Sequence, residues 1–139
     1  MDPLVIEAFT RPEPTPSDRT RAFWAGGADG LLRITRCGDC GRYCHPPLPV
    51  CPACRRSRLA PEPVSGRGTI YSWTVSRYEW QAEMPPPYIV AQVELVEQPG
   101  LRLITNIVGS DTVDIGADVE VCFARSGDAF IPLFRVVER

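Results

Sequence analysis

Two CxxC pairs, Cys37-Gly38-Asp39-Cys40 and Cys51-Pro52-Ala53-Cys54, stand ten residues apart and restrict this chain more than any other feature. Two-residue spacing lets both sulfurs of a tight turn face one point, and the turn's backbone amides can donate hydrogen bonds to them. Two such turns together offer four thiolates in a tetrahedron and leave no coordination position for a substrate. The expected ion is therefore a structural zinc held by Cys37, Cys40, Cys51 and Cys54. A rubredoxin-type iron is the alternative within the same ligand set, and a metal-free thiol cluster or redox pair is the plainer one. Gly41, directly after the first pair, suits the positive φ such a turn requires. Cys44 and His45 are rival ligands inside the loop. Cys44 breaks the symmetry of the pairs and His45 precedes Pro46-Pro47 in a connecting turn, so both are expected outside the set. Cys122 lies in an alternating apolar run and reads as an ordinary buried thiol.

A chain of 139 residues, 44% of them apolar and 23% charged, can bury a core of its own and fits one domain with a small appendage. No run approaches the roughly 20 apolar residues of a membrane helix. Acids stand in the first ten positions, where an export signal would be basic, so the expected address is the cytoplasm, with the thiols reduced. All 15 basic residues are arginine, which removes lysine Schiff bases and Gly-Lys phosphate loops. Charge is uneven: residues 36–58 carry +4 and residues 59–139 carry -5 within a net of -2. Four thiolates around one zinc lower the ribbon's surplus to about +2.

The opening segment to Pro16 is proline-rich and reads as extended. Ser17 or Asp18 can cap a short helix to about Trp24, ended by Gly26-Gly27, with Phe23 and Trp24 as its apolar face. Residues 1–30 thus form an arm that either covers the same domain or meets a partner. Residues 31–35 read as a strand entering a zinc ribbon over 31–60, and 55–65 as a polar linker. Within 61–139, five runs (69–75, 88–95, 101–108, 119–123 and 131–137) alternate in the manner of strands. In the first, Tyr71, Trp73 and Val75 share a face; in the second, Ile89, Ala91, Val93 and Leu95 do. The turn signals are Pro85-Pro86-Pro87, Pro99-Gly100, residues 109–116 and Ser126-Gly127-Asp128. The expected fold is mainly β: an N-terminal helix and zinc ribbon, then a five-stranded OB-fold barrel, because closure removes exposed strand edges. A small sandwich would show the same periodicity.

His45 is the only histidine, and no triad, two-histidine metal site or glycine-rich nucleotide loop is present. The pairs Glu79 with Glu83 and Asp111 with Asp114 read as solvated loop charges, so the chain is expected not to be an enzyme by itself. The loop after the first barrel strand is richer. Arg77, Tyr78, Trp80 and Met84 place large groups in what should be a polar turn; either they form a contact surface, or Trp80 and Met84 fold back as a lid on the barrel end. Arg42, Arg55, Arg56 and Arg58 form either an anion-binding set or a solvated basic rim.

The ordered motifs Arg36-Cys37-Gly38-Asp39-Cys40-Gly41, Pro46-Pro47, Cys51-Pro52-Ala53-Cys54 and Pro87-Tyr88-Ile89-Val90-Ala91-Gln92-Val93-Glu94-Leu95 resemble the zinc-ribbon OB-fold proteins of the domain-of-unknown-function 35 family. Gly100-Leu101-Arg102-Leu103, Ile115-Gly116-Ala117-Asp118-Val119 and Ile131-Pro132-Leu133-Phe134 look like that family's closing strands, and the likeness covers about residues 15–137. The resemblance implies an N-terminal helix and rubredoxin-like ribbon before an OB-fold. It also implies a hetero-oligomer with a thiolase-like or aldolase enzyme, in some cases a MaoC-type hydratase, in acyl-CoA, lipid or sterol metabolism. In that role the chain is a non-catalytic accessory subunit that binds acyl-CoA or completes its partner's substrate channel. Only the four cysteines carry over residue by residue, and Cys44 lies outside the family's motif. The alternatives are a freestanding acyl-CoA-binding protein and a single-stranded nucleic-acid module stacking bases on Trp73, Tyr78 and Trp80. The -5 barrel argues against the second, since phosphate neutralisation needs a basic surface.

Overall fold

The structure, a computed structural model, describes residues 11–138 and the backbone of Val5–Ile6. The reading of residues 1–10 as an extended arm otherwise lies outside the described residues. The elements run β1 (Val5–Ile6), α1 (Arg21–Ala25), β2 (Leu32–Cys37), β3 (Tyr43–Cys44), β4 (Leu59–Val64), β5 (Arg67–Ser76), β6 (Tyr88–Leu95), β7 (Arg102–Val108), β8 (Asp118–Ser126) and β9 (Ala129–Val136).

The N-cap of the helix is Thr20, without a side-chain cap, and not Ser17 or Asp18; Ser17 instead closes the turn before it, its hydroxyl accepting from the Thr20 amide at 3.3 Å and its carbonyl from the Arg21 amide at 2.9 Å. The α-helix ends at Ala25 with Gly26 as its C-cap, as expected, but both glycines stay right-handed. They continue as a 3-10 turn through Asp29, and Gly30 at φ 72° makes the stop. The glycines serve close approach instead: a Cβ on Gly26 would strike the Leu31 carbonyl oxygen, and one on Gly27 would strike Phe130 and lie 2.8 Å from the Phe123 ring. Phe23 packs on the main core, so this helix covers its own domain.

The ribbon sheet has the order β3-β2-β4, all antiparallel. Part of the segment expected as a linker is β4, which pairs with β2 from Leu32↔Val64 to Cys37↔Leu59. Pro61 and Pro63 disguise it, but an edge strand tolerates proline where the missing N–H would face outward. Leu32, Ile34 and Val64 of the ribbon lie in one buried cluster with the barrel residues, so a single core runs through both.

The barrel is an OB-fold rather than a sandwich. β5, β6 and β7 form an antiparallel meander, β9 lies parallel to β7 at Ile107↔Phe134, and β8 pairs with both β9 and β5 to close the sheet on itself. β1 adds in parallel to β8. In β6 the expected alternation holds at every position, and Ile89, Ala91, Val93 and Leu95 are buried. β5 departs from expectation. Its pairing with β6 shifts between Ile70 and Ser72, and this bulge turns Tyr71 out of the core while Trp73 and Val75 stay inward. Outside, Tyr71 stacks under Arg102, whose guanidinium carbon lies 3.5 Å from the ring centroid. Phe123 and Phe134 are fully buried at the centre, each stabilising the fold by about 1.5–3 kcal/mol through apolar burial.

Candidate metal centre and contact surfaces

The two knuckles repeat one backbone pattern. The Cys37 amide donates to the Arg42 carbonyl at 2.9 Å and the Gly41 amide to the Cys37 carbonyl at 3.0 Å; in the second knuckle Cys51 donates to Arg56 at 2.8 Å and Arg55 to Cys51 at 2.9 Å. The residue closing each turn is left-handed, Gly41 at φ 79° and Arg55 at φ 65°. Sequence reasoning identified Gly41 by its residue type, but arginine at the equivalent position gives no such signal.

The sulfurs of Cys37, Cys40, Cys51 and Cys54 all lie within 4.8 Å of one another, with Cys37–Cys54 at 3.5 Å and Cys40–Cys51 at 3.6 Å. Sulfurs bound 2.3 Å from one tetrahedral centre stand about 3.8 Å apart, so the residues present fit a zinc ion. Cys37 and Cys51 are buried to 1% exposure. Their thiols are held low by amide donors, Cys37 by Cys40 and then Asp39, and Cys51 by Cys54 and then Ala53, to about 6 in the case of Cys51. The Arg56 amide favours the Cys54 thiolate too, but burial and the three neighbouring thiols outweigh it and push that group to about 12. A divalent cation resolves this competition by taking the place of the protons.

Neither rival ligand joins the set. Cys44 is buried in β3, paired with Thr35 of β2. His45 packs its ring 5.0 Å from that of Phe23, where burial lowers its pKa. Cys122 is fully buried among Val108, Ala124 and Leu133, and burial pushes its thiol up to about 11.

The candidate contact residues divide into separate groups. Arg42, Arg55, Arg56 and Arg58 are exposed around the knuckles, and Asp39 lies 3.7 Å from Arg56 and 3.6 Å from Arg58. Asp39 is the only acid among residues 36–58, which was the available sign of this arrangement. Tyr78 and Trp80 stand 66% and 71% exposed with ring centroids 4.7 Å apart, so neither folds back as a lid. Met84 parts from them and lines a small cleft with Phe23, Trp24 and Ile104. The ribbon is tied to the β6–β7 turn, where the Tyr43 amide donates to Gln98 at 2.9 Å and the Ser65 amide to Glu97 at 2.9 Å. The aromatic pair follows β5 at Ser76, the end of β5 opposite to that turn. At that far end lies a cavity of about 480 Å³ with no counterpart in the sequence reading. Among the described residues, no helix is long and apolar enough to cross a membrane.

Comparison with known proteins follows the same division. The family description "ChsH2, rubredoxin-like zinc ribbon domain" matches residues 24–60, and "ChsH2, C-terminal OB-fold domain" matches residues 61–124. A probable enoyl-CoA hydratase alpha subunit of Thermomonospora curvata is 36% identical over 129 residues, 90% of this chain but 40% of that protein. The chain therefore spans less than half the length of that relative. A DUF35 domain-containing scaffold protein of Methanothermobacter thermautotrophicus is 36% identical over 98 residues, 68% of this chain and 72% of that one. A chain of the solved Ltp2-ChsH2(DUF35) aldolase superposes with a TM-score of 0.80 at 31% identity, covering 89% of this chain and 98% of the other. With its four-cysteine ribbon joined through one core to an OB-fold, the chain belongs to the DUF35 family of ChsH2-type proteins.

Proposed function

We propose that this chain is a non-catalytic accessory subunit of an enzyme acting on CoA thioesters, an aldolase, a hydratase or a thiolase-like enzyme, and that it helps to hold the acyl-CoA or complete the partner's substrate channel. The observation that carries the reading is the match along 98% of a chain in an aldolase assembly that names DUF35 as a component. A second support is chemical. Four thiolates leave a zinc ion no open position, so the metal fixes the ribbon's shape and supplies no Lewis acid to a substrate. What the metal positions is an arginine-bearing tip, and guanidinium groups there suit CoA phosphates or an enzyme's carboxylates. The exposed Tyr78–Trp80 pair has the composition of an interface anchor. The nucleic-acid alternative needs a row of stacking aromatics, whereas Trp73 turns inward and leaves only the Tyr78–Trp80 pair of its three exposed.

The test is co-expression with thiolase-like, aldolase and hydratase enzymes of the same genome that act on CoA thioesters, followed by purification through a tag on the enzyme and assay with its CoA thioester. The expected result is a stable zinc-containing complex whose turnover collapses when this chain is left out. An enzyme with full activity and unchanged KM in its absence would overturn the proposal.

A further inference from the structure

β8 accompanies β5 only along Arg67–Thr69, after which β5 runs on to Ser76 beside β6. The bulge at Tyr71 resets the inside–outside parity of β5, so Trp73 and Val75 turn inward on the stretch that has left β8. Bulges at barrel rims commonly re-aim side chains in this way. The outcome is the cavity of about 480 Å³ at the barrel mouth, within the range of small-molecule sites. Its floor is Trp73, Val75, Ile89 and Ile107, and its rim carries Arg77 and Asp111.

We propose that this mouth binds a small amphiphile: an apolar body of medium length on the aromatic and aliphatic floor, with a single carboxylate at the rim against Arg77. Trp73 and Val75 are only partly buried, so the floor offers apolar surface that a ligand's body would remove from water. Arg77 is exposed and has no carboxylate within ion-pair distance among the described residues, so its guanidinium is open to an anionic end. Asp111 shares the rim and cancels its charge. A bare anion therefore gains nothing at this mouth; the apolar body supplies the affinity and Arg77 the orientation. Asp111 equally disfavours a multiply charged head such as a phosphate. The site is formed by this chain alone, so the inference does not rest on the accessory-subunit reading, and its test needs no partner enzyme.

The test is isothermal titration of the zinc-loaded full chain with octanoate, 1-octanol and inorganic phosphate. Octanoate should bind, 1-octanol should bind about fivefold more weakly for want of one charge-assisted contact, and phosphate should give no heat. Arg77→Gln should bring octanoate down to the level of 1-octanol and leave 1-octanol unchanged. Thr112→Trp, on the exposed rim loop, should block both probes while the circular dichroism stays that of the parent. The proposal is overturned if neither octanoate nor 1-octanol binds the parent chain, if octanoate still binds the Thr112→Trp chain, or if Arg77→Gln leaves the preference for the acid intact.

Discussion

Arg55 closes the second knuckle at φ 65°, where Gly41 closes the first at φ 79°. Holding a residue with a Cβ in the left-handed region costs about 1–2 kcal/mol. Replacing it with glycine relieves that strain but adds about 0.5–1 kcal/mol of freedom to the unfolded chain. The net expectation for Arg55→Gly is a gain of about 0.5–1 kcal/mol in the folded ribbon. Gly41→Ala runs the same change backwards. A Cβ there meets only the tip of Arg36, at 3.7 Å, so its cost of about 0.5–1 kcal/mol is one of backbone conformation, not collision. Ribbon ordering and metal binding are one event when the site is unformed without the ion, so both changes should be legible as apparent zinc affinity in competition with a chromophoric chelator. Arg55→Gly should hold zinc about two- to fivefold more tightly and Gly41→Ala about two- to fivefold less tightly. A weaker zinc site in Arg55→Gly would refute the strain argument and show that the arginine side chain itself steadies the knuckle.

Three further outcomes are expected. Cys51→Ser should lose stoichiometric zinc, measured by metal analysis, and hydrogen exchange should then deprotect residues 37–58 while the amides of β6 and β8 keep their protection. Gly27→Ala should lower stability by about 1–3 kcal/mol in chemical denaturation, because its methyl group has no room against Phe130 and Phe123. Folded His45 loses its proton more readily than an unfolded histidine, whose pKa is about 6.5, so its contribution is complete above that pH and is lost as acid takes the pH through the folded value. His45→Asn should therefore lose less stability than the parent between pH 7.5 and pH 5.5 in denaturation profiles of the zinc-loaded chain.

The strands of the barrel are legible where apolar and polar residues alternate over a half-buried surface, and β6 shows the case without exception. Tyr71 was misplaced for a physical reason: one extra residue in β5 reverses every later side chain, and a bulge depends on the pairing partner, which the strand's own composition does not reveal. β4 was missed because Pro61 and Pro63 read as linker residues when their edge position is unknown. Gly26-Gly27 do end the α-helix, but glycine has two uses, positive φ and absence of a side chain, and only the fold says that the second applies here. The four ligands were fixed by spacing alone, since the knuckle is a local structure. The cavity was illegible because Trp73, Ile89 and Ile107 come from three strands brought together only by closure of the sheet.

The tie between the ribbon and the β6–β7 turn makes the barrel a strut. From Leu95, beside that tie, to Tyr88, where the aromatic loop ends, β6 spans seven residue steps, about 23 Å. No compact ligand bridges such a span, so a molecule that meets the β6–β7 turn and one that meets Trp80 occupy different territories, on one large neighbour or on two. Sites this far apart with no shared partner contribute independently. Any losses of partner affinity from Val96→Ser, exposed at that turn, and Trp80→Ala should therefore sum in the double variant, and a sum that fails would mean that the strut transmits what happens at one end to the other.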